Sequence, residues 1–269
     1  MRLWMILLLV AWMIALAVLA YVPTPIYGAD QAVIDKWMDF ARTVFATLTG
    51  AGAAFFANWK LQDSARIRLE KAAGNFAMAT LKRQYVNFLL VRENFKVEAK
   101  RTADQYPGQS PWLFYRPIAH SLRNDLEFDF AAVHFLFEAP TGHAAFDALH
   151  SAEQNYREAI GALNRLNEAT QERQARLVDM GVRPLVAVTT TELFEGLGPL
   201  LLGKLQSSYE AFAKKCAKDE AIYLRASAET YPILRERFGS DGLVKVEQMS
   251  LPLEEDAPLP RQSLREQST

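Results

Sequence analysis

The chain has 269 residues, half of them hydrophobic, with 30 Lys and Arg against 31 Asp and Glu. A net charge near zero is unlike the basic surface of a nucleic-acid binder, and so high an apolar content is unlike a disordered chain. A single cysteine, Cys216, excludes a disulfide framework and any multi-cysteine zinc or iron–sulfur centre.

Leu3 to Val22 is an almost unbroken apolar run, preceded by Arg2 and ended by Pro23 and Pro25. Its twenty residues reach about 30 Å as a helix, the thickness of a bilayer core. The alternative is a cleaved signal peptide, since Val18-x-Ala20 suits a cleavage site; the apolar core is long for one. A second segment runs from Trp37 to Trp59, and Val44 to Ala57 at its centre carries no charge. Two tryptophans about 33 Å apart along a helix suit the two interfacial belts. Residues 1–59 are therefore read as a transmembrane hairpin of helices at about 3–22 and 37–59. Lys60, Arg66, Arg68 and Lys71 follow it, whereas the connecting loop and the outer end of the second segment have only Lys36 and Arg42. The positive-inside rule then puts residues 60–269 in the cytoplasm of a bacterium and the hairpin in its inner membrane. The reduced, single Cys216 fits that compartment.

The second segment carries Ala46, Gly50, Ala54 and Asn58 at steps of four, with Thr43 and Thr47 on or near the same face. Small residues let helix backbones approach closely, and Thr and Asn can hydrogen-bond across the contact. The face serves either packing within the chain or self-association into an assembly, with or without a pore. Asp39 and Arg42 are read as an interfacial pair that snorkels to water.

Beyond Lys60 no proline occurs until Pro107, and Leu69, Ala72, Phe76, Ala79, Val86 and Leu90 keep helical spacing. Residues 60–106 hold ten basic and five acidic side chains, and this stalk is suited to lie beside anionic lipid. Residues 107–118, with three prolines, break the helix, and Trp112, Phe114 and Tyr115 are expected to cap the core, the alternative being a partner-docking loop. Leu126 to Glu138 is expected to be a short helix whose N-terminal dipole favours Asp125, Glu127 and Asp129. Ala144 to Val178 reads as a long helix that Gly181 and Pro184 end. Further helical pattern covers residues 192–205 and 206–238, interrupted around Gly196, Gly198 and Pro199. The domain thus spans residues 60–238, and residues 239–269 read as a mostly disordered tail, with a brief strand at Val244 to Val246. The fold class is all-α: a membrane hairpin followed by a cytoplasmic domain of long antiparallel helices.

Gly198 to Lys204 fits the frame of a phosphate-binding loop, but Leu205 stands where a magnesium-binding hydroxyl belongs and three leucines fill the loop. Leu200, Leu201 and Leu202 are better read as a buried helical patch. His143, Asp147 and His150 share a helix face and have metal-chelating spacing, although Glu153 is the only further acid nearby, too few ligands for a carboxylate-bridged centre. Cys216 lies between Lys215 and Lys218, which favour its thiolate, yet it reads as structural. No nucleophile-elbow, zinc-protease or paired-cysteine motif is present. The reading is a protein that is not an enzyme and needs no cofactor.

The stretches Phe76-Ala-Met-Ala-Thr-Leu-Lys-Arg-Gln-Tyr85 and Ala148-Leu-His-Ser-Ala-Glu-Gln-Asn-Tyr-Arg-Glu-Ala-Ile160 resemble segments of bacterial inner-membrane proteins with two transmembrane helices. Some proteins of that layout are effectors of anti-phage systems, including retrons. The resemblance implies a membrane effector triggered by a cytoplasmic protein or ribonucleoprotein, and assigns no functional residue. With the small-residue face it gives the expectation of a homo-oligomer in the lipid bilayer that perturbs the inner membrane. The alternative is a constitutive membrane-tethered scaffold or adaptor for a cytoplasmic partner.

Overall fold

The computed structural model describes Trp12 and residues 31–118, 121–182 and 190–248. Every regular element among these is helical. The expected first transmembrane helix, at about 3–22, lies outside the described residues apart from Trp12. The chain divides into two units, Met1–Leu69 and Glu70–Thr269.

The first long helix, α1, is Gln31–Gln105. No proline or charge block interrupts it, so one ladder of backbone bonds runs from the apolar segment through the basic stalk. Its part in the second unit is amphipathic. Ala77, Met78, Leu81, Tyr85, Phe88, Leu89, Val91 and Phe95 are buried, while Lys82, Arg83, Lys96 and Lys100 stay in water.

The break after α1 holds a one-turn helix, α2, Pro111–Phe114. Leu113 and Tyr115 are buried, and Trp112 and Phe114 pack on a small cluster of leucines. This segment is fastened by Arg173, itself only 5% exposed. Its guanidinium donates to the carbonyl oxygens of Leu113 and Tyr115. Burial, with Arg116 nearby, pulls its pKa down to about 10. The cation is thus held by backbone carbonyls rather than by a carboxylate.

Residues 121–133 form turns and irregular chain, and only His134–Glu138 closes a 3-10 helix. This corrects the expected helix from Leu126 to Glu138. Leu126 and Phe128 are buried while Asp125, Glu127 and Asp129 are exposed, an alternation of period two that suits extended chain better than a helix. The acids are accordingly not at a helix N-terminus. Asp125 pairs with Arg123, Glu127 with Arg157, and Asp129 accepts from the Ala132 amide. Two side chains from the helices tie the segment down. Gln84 donates to Leu126 O at 2.7 Å, and buried Glu153 accepts from the Phe128 amide at 3.0 Å.

Helix α3, Gly142–Asp179, is the centre of the second unit and packs chiefly on the two helices that follow. Its buried stripe alternates alanines (Ala145, Ala148, Ala152, Ala159, Ala162 and Ala169) with Leu149, Tyr156, Leu163 and Leu166. The alanines let the neighbouring backbones approach, and the large residues fill the space between. The helix ends at Gly181, where φ is +72°. The Val182 amide donates to Leu177 O and the Gly181 amide to Val178 O, a Schellman closure that glycine makes without strain.

Helix α4, Thr190–Lys218, is two helices joined at a kink, since Gly198 takes φ +75° and Pro199 follows it. Helix α5, Glu220–Phe238, completes the bundle. Phe95 meets Tyr115, Tyr209 and Phe212 with ring centroids 5.2–5.3 Å apart. Glu220 accepts from Tyr85 Oη at 2.8 Å and Arg92 at 2.6 Å, and the Arg92 hydrogen bond holds its carboxyl below the usual carboxylate range.

Cys216 is buried in this core. Burial pushes its thiol up to about 12, outweighing any help from its lysine neighbours. At pH 8 the folded protein therefore holds on the order of a thousandfold less thiolate than free cysteine. Maleimide is expected to label the folded chain far more slowly than the chain in denaturant; labelling at similar rates would contradict this. Because unfolding releases that thiol's proton once pH passes the free-cysteine range, this residue contributes stability that is lost as pH rises.

After Gly239 the chain stays ordered through residue 248 without forming the brief strand expected at Val244 to Val246. Side chains of α1 and α5 hold it instead. Residues 249–269 lie outside the described residues.

Candidate functional site: the exposed face of the first helix

From Met38 onward α1 is long and apolar enough, by length and composition, to cross a membrane, and no residue of its most apolar window is buried. The polar side chains within this segment satisfy themselves locally. The hydroxyls of Thr43, Thr47 and Thr49 donate to the carbonyl oxygens of Asp39, Thr43 and Phe45, each at 2.8 Å. Such back-bonding removes most of the cost of placing a hydroxyl in hydrocarbon. Asp39 and Arg42 lie 3.7 Å apart and are both well exposed. Trp59 stacks obliquely on Phe56 at 6.0 Å, while the Trp37 side chain lies outside the described residues.

Two sides of the helix differ. Ala41, Phe45 and Gly52 are half-covered, and the Trp12 ring lies 5.4 Å from that of Phe45. Thr43, Ala46, Thr47, Gly50, Ala54 and Asn58 are all exposed. At 100° per residue the small-residue face points roughly opposite the half-covered one. A β-carbon added at Gly50 would meet nothing within 4 Å. Within the described residues, the face suited to close helix approach is uncovered.

That face is longer than steps of four suggest. Thr43, Thr47, Gly50, Ala54, Asn58, Leu61, Ala65 and Leu69 follow one another at intervals of 4, 3, 4, 4, 3, 4 and 4, an eleven-residue repeat, and all eight are exposed. A period of about 3.67 residues keeps such a row on one side of a nearly straight helix, the geometry of right-handed helix pairing. The signal was present in the sequence, but the row changes from small residues to leucine at Leu61, where hydrophobicity alone no longer marks it. Leu61 and Leu69 are 70% and 72% exposed, beyond the tryptophan that would mark the interface. Asn58 breaks the apolar row, and its carbonyl oxygen accepts from Gln62 at 3.5 Å.

The basic stalk residues flank this row. Lys60, Arg66 and Arg68 are exposed and Lys71 is half-buried; Arg66 pairs with Asp63 at 3.2 Å.

The other sequence candidates separate. His143, Asp147 and His150 sit on α3 and are all exposed. The His143 ring packs on Phe137 at 4.6 Å and the His150 ring on Phe130 at 5.6 Å. Among the described residues no group of three or more His, Cys, Asp or Glu is arranged to hold a metal. The apparent phosphate loop is the kink of α4. Leu201 and Leu205 point into the core and Lys204 pairs with Glu172 at 2.6 Å. Leu200 is 89% exposed and Leu202 half-buried, which corrects the expected patch of three leucines. The patch fails because successive helical residues lie about 100° apart, so Leu200, Leu201 and Leu202 cannot all face the core.

No family model matches the chain, and comparison with curated proteins and with solved structures finds no match.

Proposed function

We propose that the chain is a bacterial inner-membrane effector that self-associates through the exposed face of α1. Residues 60–269 lie in the cytoplasm, where the helical unit receives a signal, and the assembled helices then perturb the membrane. The observation that carries this reading is the uncovered row of eight residues from Thr43 to Leu69, with its eleven-residue repeat. Soluble proteins rarely leave such a row open, and lipid can cover only its apolar membrane part. Small residues inside the bilayer and leucines outside it are what one continuous helix contact needs on both sides of the interface. The excess of cations just after Trp59 favours the stated orientation and contact with anionic lipid headgroups. The resemblance to two-helix membrane proteins of anti-phage systems gives the setting, with a cytoplasmic protein or ribonucleoprotein as trigger. The test is expression in bacteria with a membrane-potential dye. The reading requires loss of potential and arrest of growth when the native trigger is supplied. Unchanged potential with a stable co-purifying cytoplasmic protein would make the chain a tethered adaptor instead.

A further inference from the structure

The segment after α5 is bound to the helical unit the way a peptide ligand is bound to its receptor. The Asn75 amide on α1 donates to Gly242 O at 2.9 Å and accepts from the Val244 amide at 3.2 Å. The Ser227 hydroxyl on α5 donates to Val246 O at 3.0 Å and accepts from the Val246 amide at 3.3 Å. Two side chains, from two helices, thus read the backbone at residues 242, 244 and 246. Val246 is buried, Leu243 and Val244 are half-covered, and Lys245 and Glu247 between and beyond them are exposed and pair with each other at 2.8 Å. Such side-chain clamping of alternate residues resembles the addition of a strand to a sheet edge, with an asparagine and a serine standing in for the edge.

We propose that residues 240–248 are a releasable latch, an intramolecular ligand seated on a groove between α1 and α5, and that its release is the first opening of the helical unit. Only one side chain of the latch is fully buried, and no regular backbone ladder holds it. The return from burying Val246, half-covering Leu243 and Val244 and making four hydrogen bonds is set against the ordering of nine residues, so the seated and free states lie close in free energy. The latch meets α1 at the turn where Glu70 pairs with Arg237 of α5 at 2.6 Å and where Gly74 lies against Leu234. Release would leave that α1–α5 contact without the segment that bridges Asn75 of α1 and Ser227 of α5. The proposal does not depend on self-association and is tested without it.

The measurement is hydrogen–deuterium exchange on the full-length chain in lipid nanodiscs. The Val244 and Val246 amides are expected to exchange about tenfold or more faster than the amides of Tyr223 and Leu234. Asn75→Ala is expected to speed both latch amides about tenfold while leaving those of Tyr223 and Leu234 unchanged, and Ser227→Ala should act in the same way on Val246. Exchange of the latch in step with the α5 core, or uniform acceleration of all four amides in Asn75→Ala, would overturn the proposal and make the segment an ordinary part of the fold.

Discussion

Gly142→Ala is expected to cost the helical unit about 3 kcal/mol or more, the range reached when a substitution forces strain into a packed turn. A β-carbon at residue 142 would stand 1.8 Å from Leu136 O and 3.0 Å from Phe137 Cα. Both are backbone atoms of the 3-10 turn that enters α3, so no side chain can swing aside to make room. The turn is itself held by the Gly142 amide, which donates to Ala139 O at 3.0 Å. Moving it would displace buried Phe135 and Leu136, which belong to the main core. A loss of that size lowers the midpoint of a 200-residue unit by about 6–12 °C. Gly161→Ala is the control, since its added β-carbon meets only the Arg165 guanidinium at 3.5 Å. That variant gains helix propensity and is expected to be neutral or slightly stabilising. Thermal unfolding of the two variants side by side checks the claim, and equal midpoints would contradict it.

The second large effect concerns Gly50. Gly50→Leu keeps the segment apolar, so insertion should survive. It fills the exposed row at its smallest residue with a branched side chain, and beyond its own helix turn an added β-carbon meets nothing within 4 Å. The fold of a single chain is therefore expected to be unchanged, whereas pairing across the row should weaken by about 1 kcal/mol or more per contact, the scale of contacts inside membranes. Leu48→Ala removes bulk from another side of the same helix and should leave association intact. At matched membrane levels, Gly50→Leu is expected to reduce oligomer size in mild detergent and to abolish effector activity, and Leu48→Ala to do neither.

The contrast between these two glycines shows what was legible in the sequence. Gly50 stood out because small residues recurring on one face of an apolar segment have few uses. Gly142 did not, since its constraint comes from the carbonyl of Leu136, and nothing in residue type announces where that oxygen will lie. The same division holds along the chain. The helix read as Ala144 to Val178 is Gly142–Asp179, because a periodic stripe and a terminal Gly181 are local signals. The break at Gly198 and Pro199 was equally local. The segment around Leu126 is not legible from its apolar content, because its burial has a period of two and Gln84 and Glu153, which anchor it, are distant in sequence. The latch at residues 242–246 depends on Asn75, 167 residues from Gly242, a pairing invisible before folding. At Leu200 the helix itself was legible, but three consecutive leucines cannot share one helix face, and only Leu201 turns fully into the core. As to the candidate site, the small-residue half of the row was legible. Its continuation was not: Leu69 belonged to the helical spacing of the stalk, Leu61 carried no signal of its own, and the structure leaves both exposed.

Cysteine cross-linking along α1 tests the assembly claim most directly, and the buried, protonated thiol of Cys216 makes the wild-type chain a silent background. Single substitutions Ala54→Cys and Leu61→Cys lie on the exposed row, whereas Leu48→Cys and Phe56→Cys lie on other sides of the same exposed helix. In native membranes, mild oxidation is expected to join two full-length chains through residue 54 and through residue 61, and to leave the chains carrying cysteine at 48 or 56 as monomers. Equal cross-linking at all four positions, or none at 54 and 61, would contradict self-association through this face.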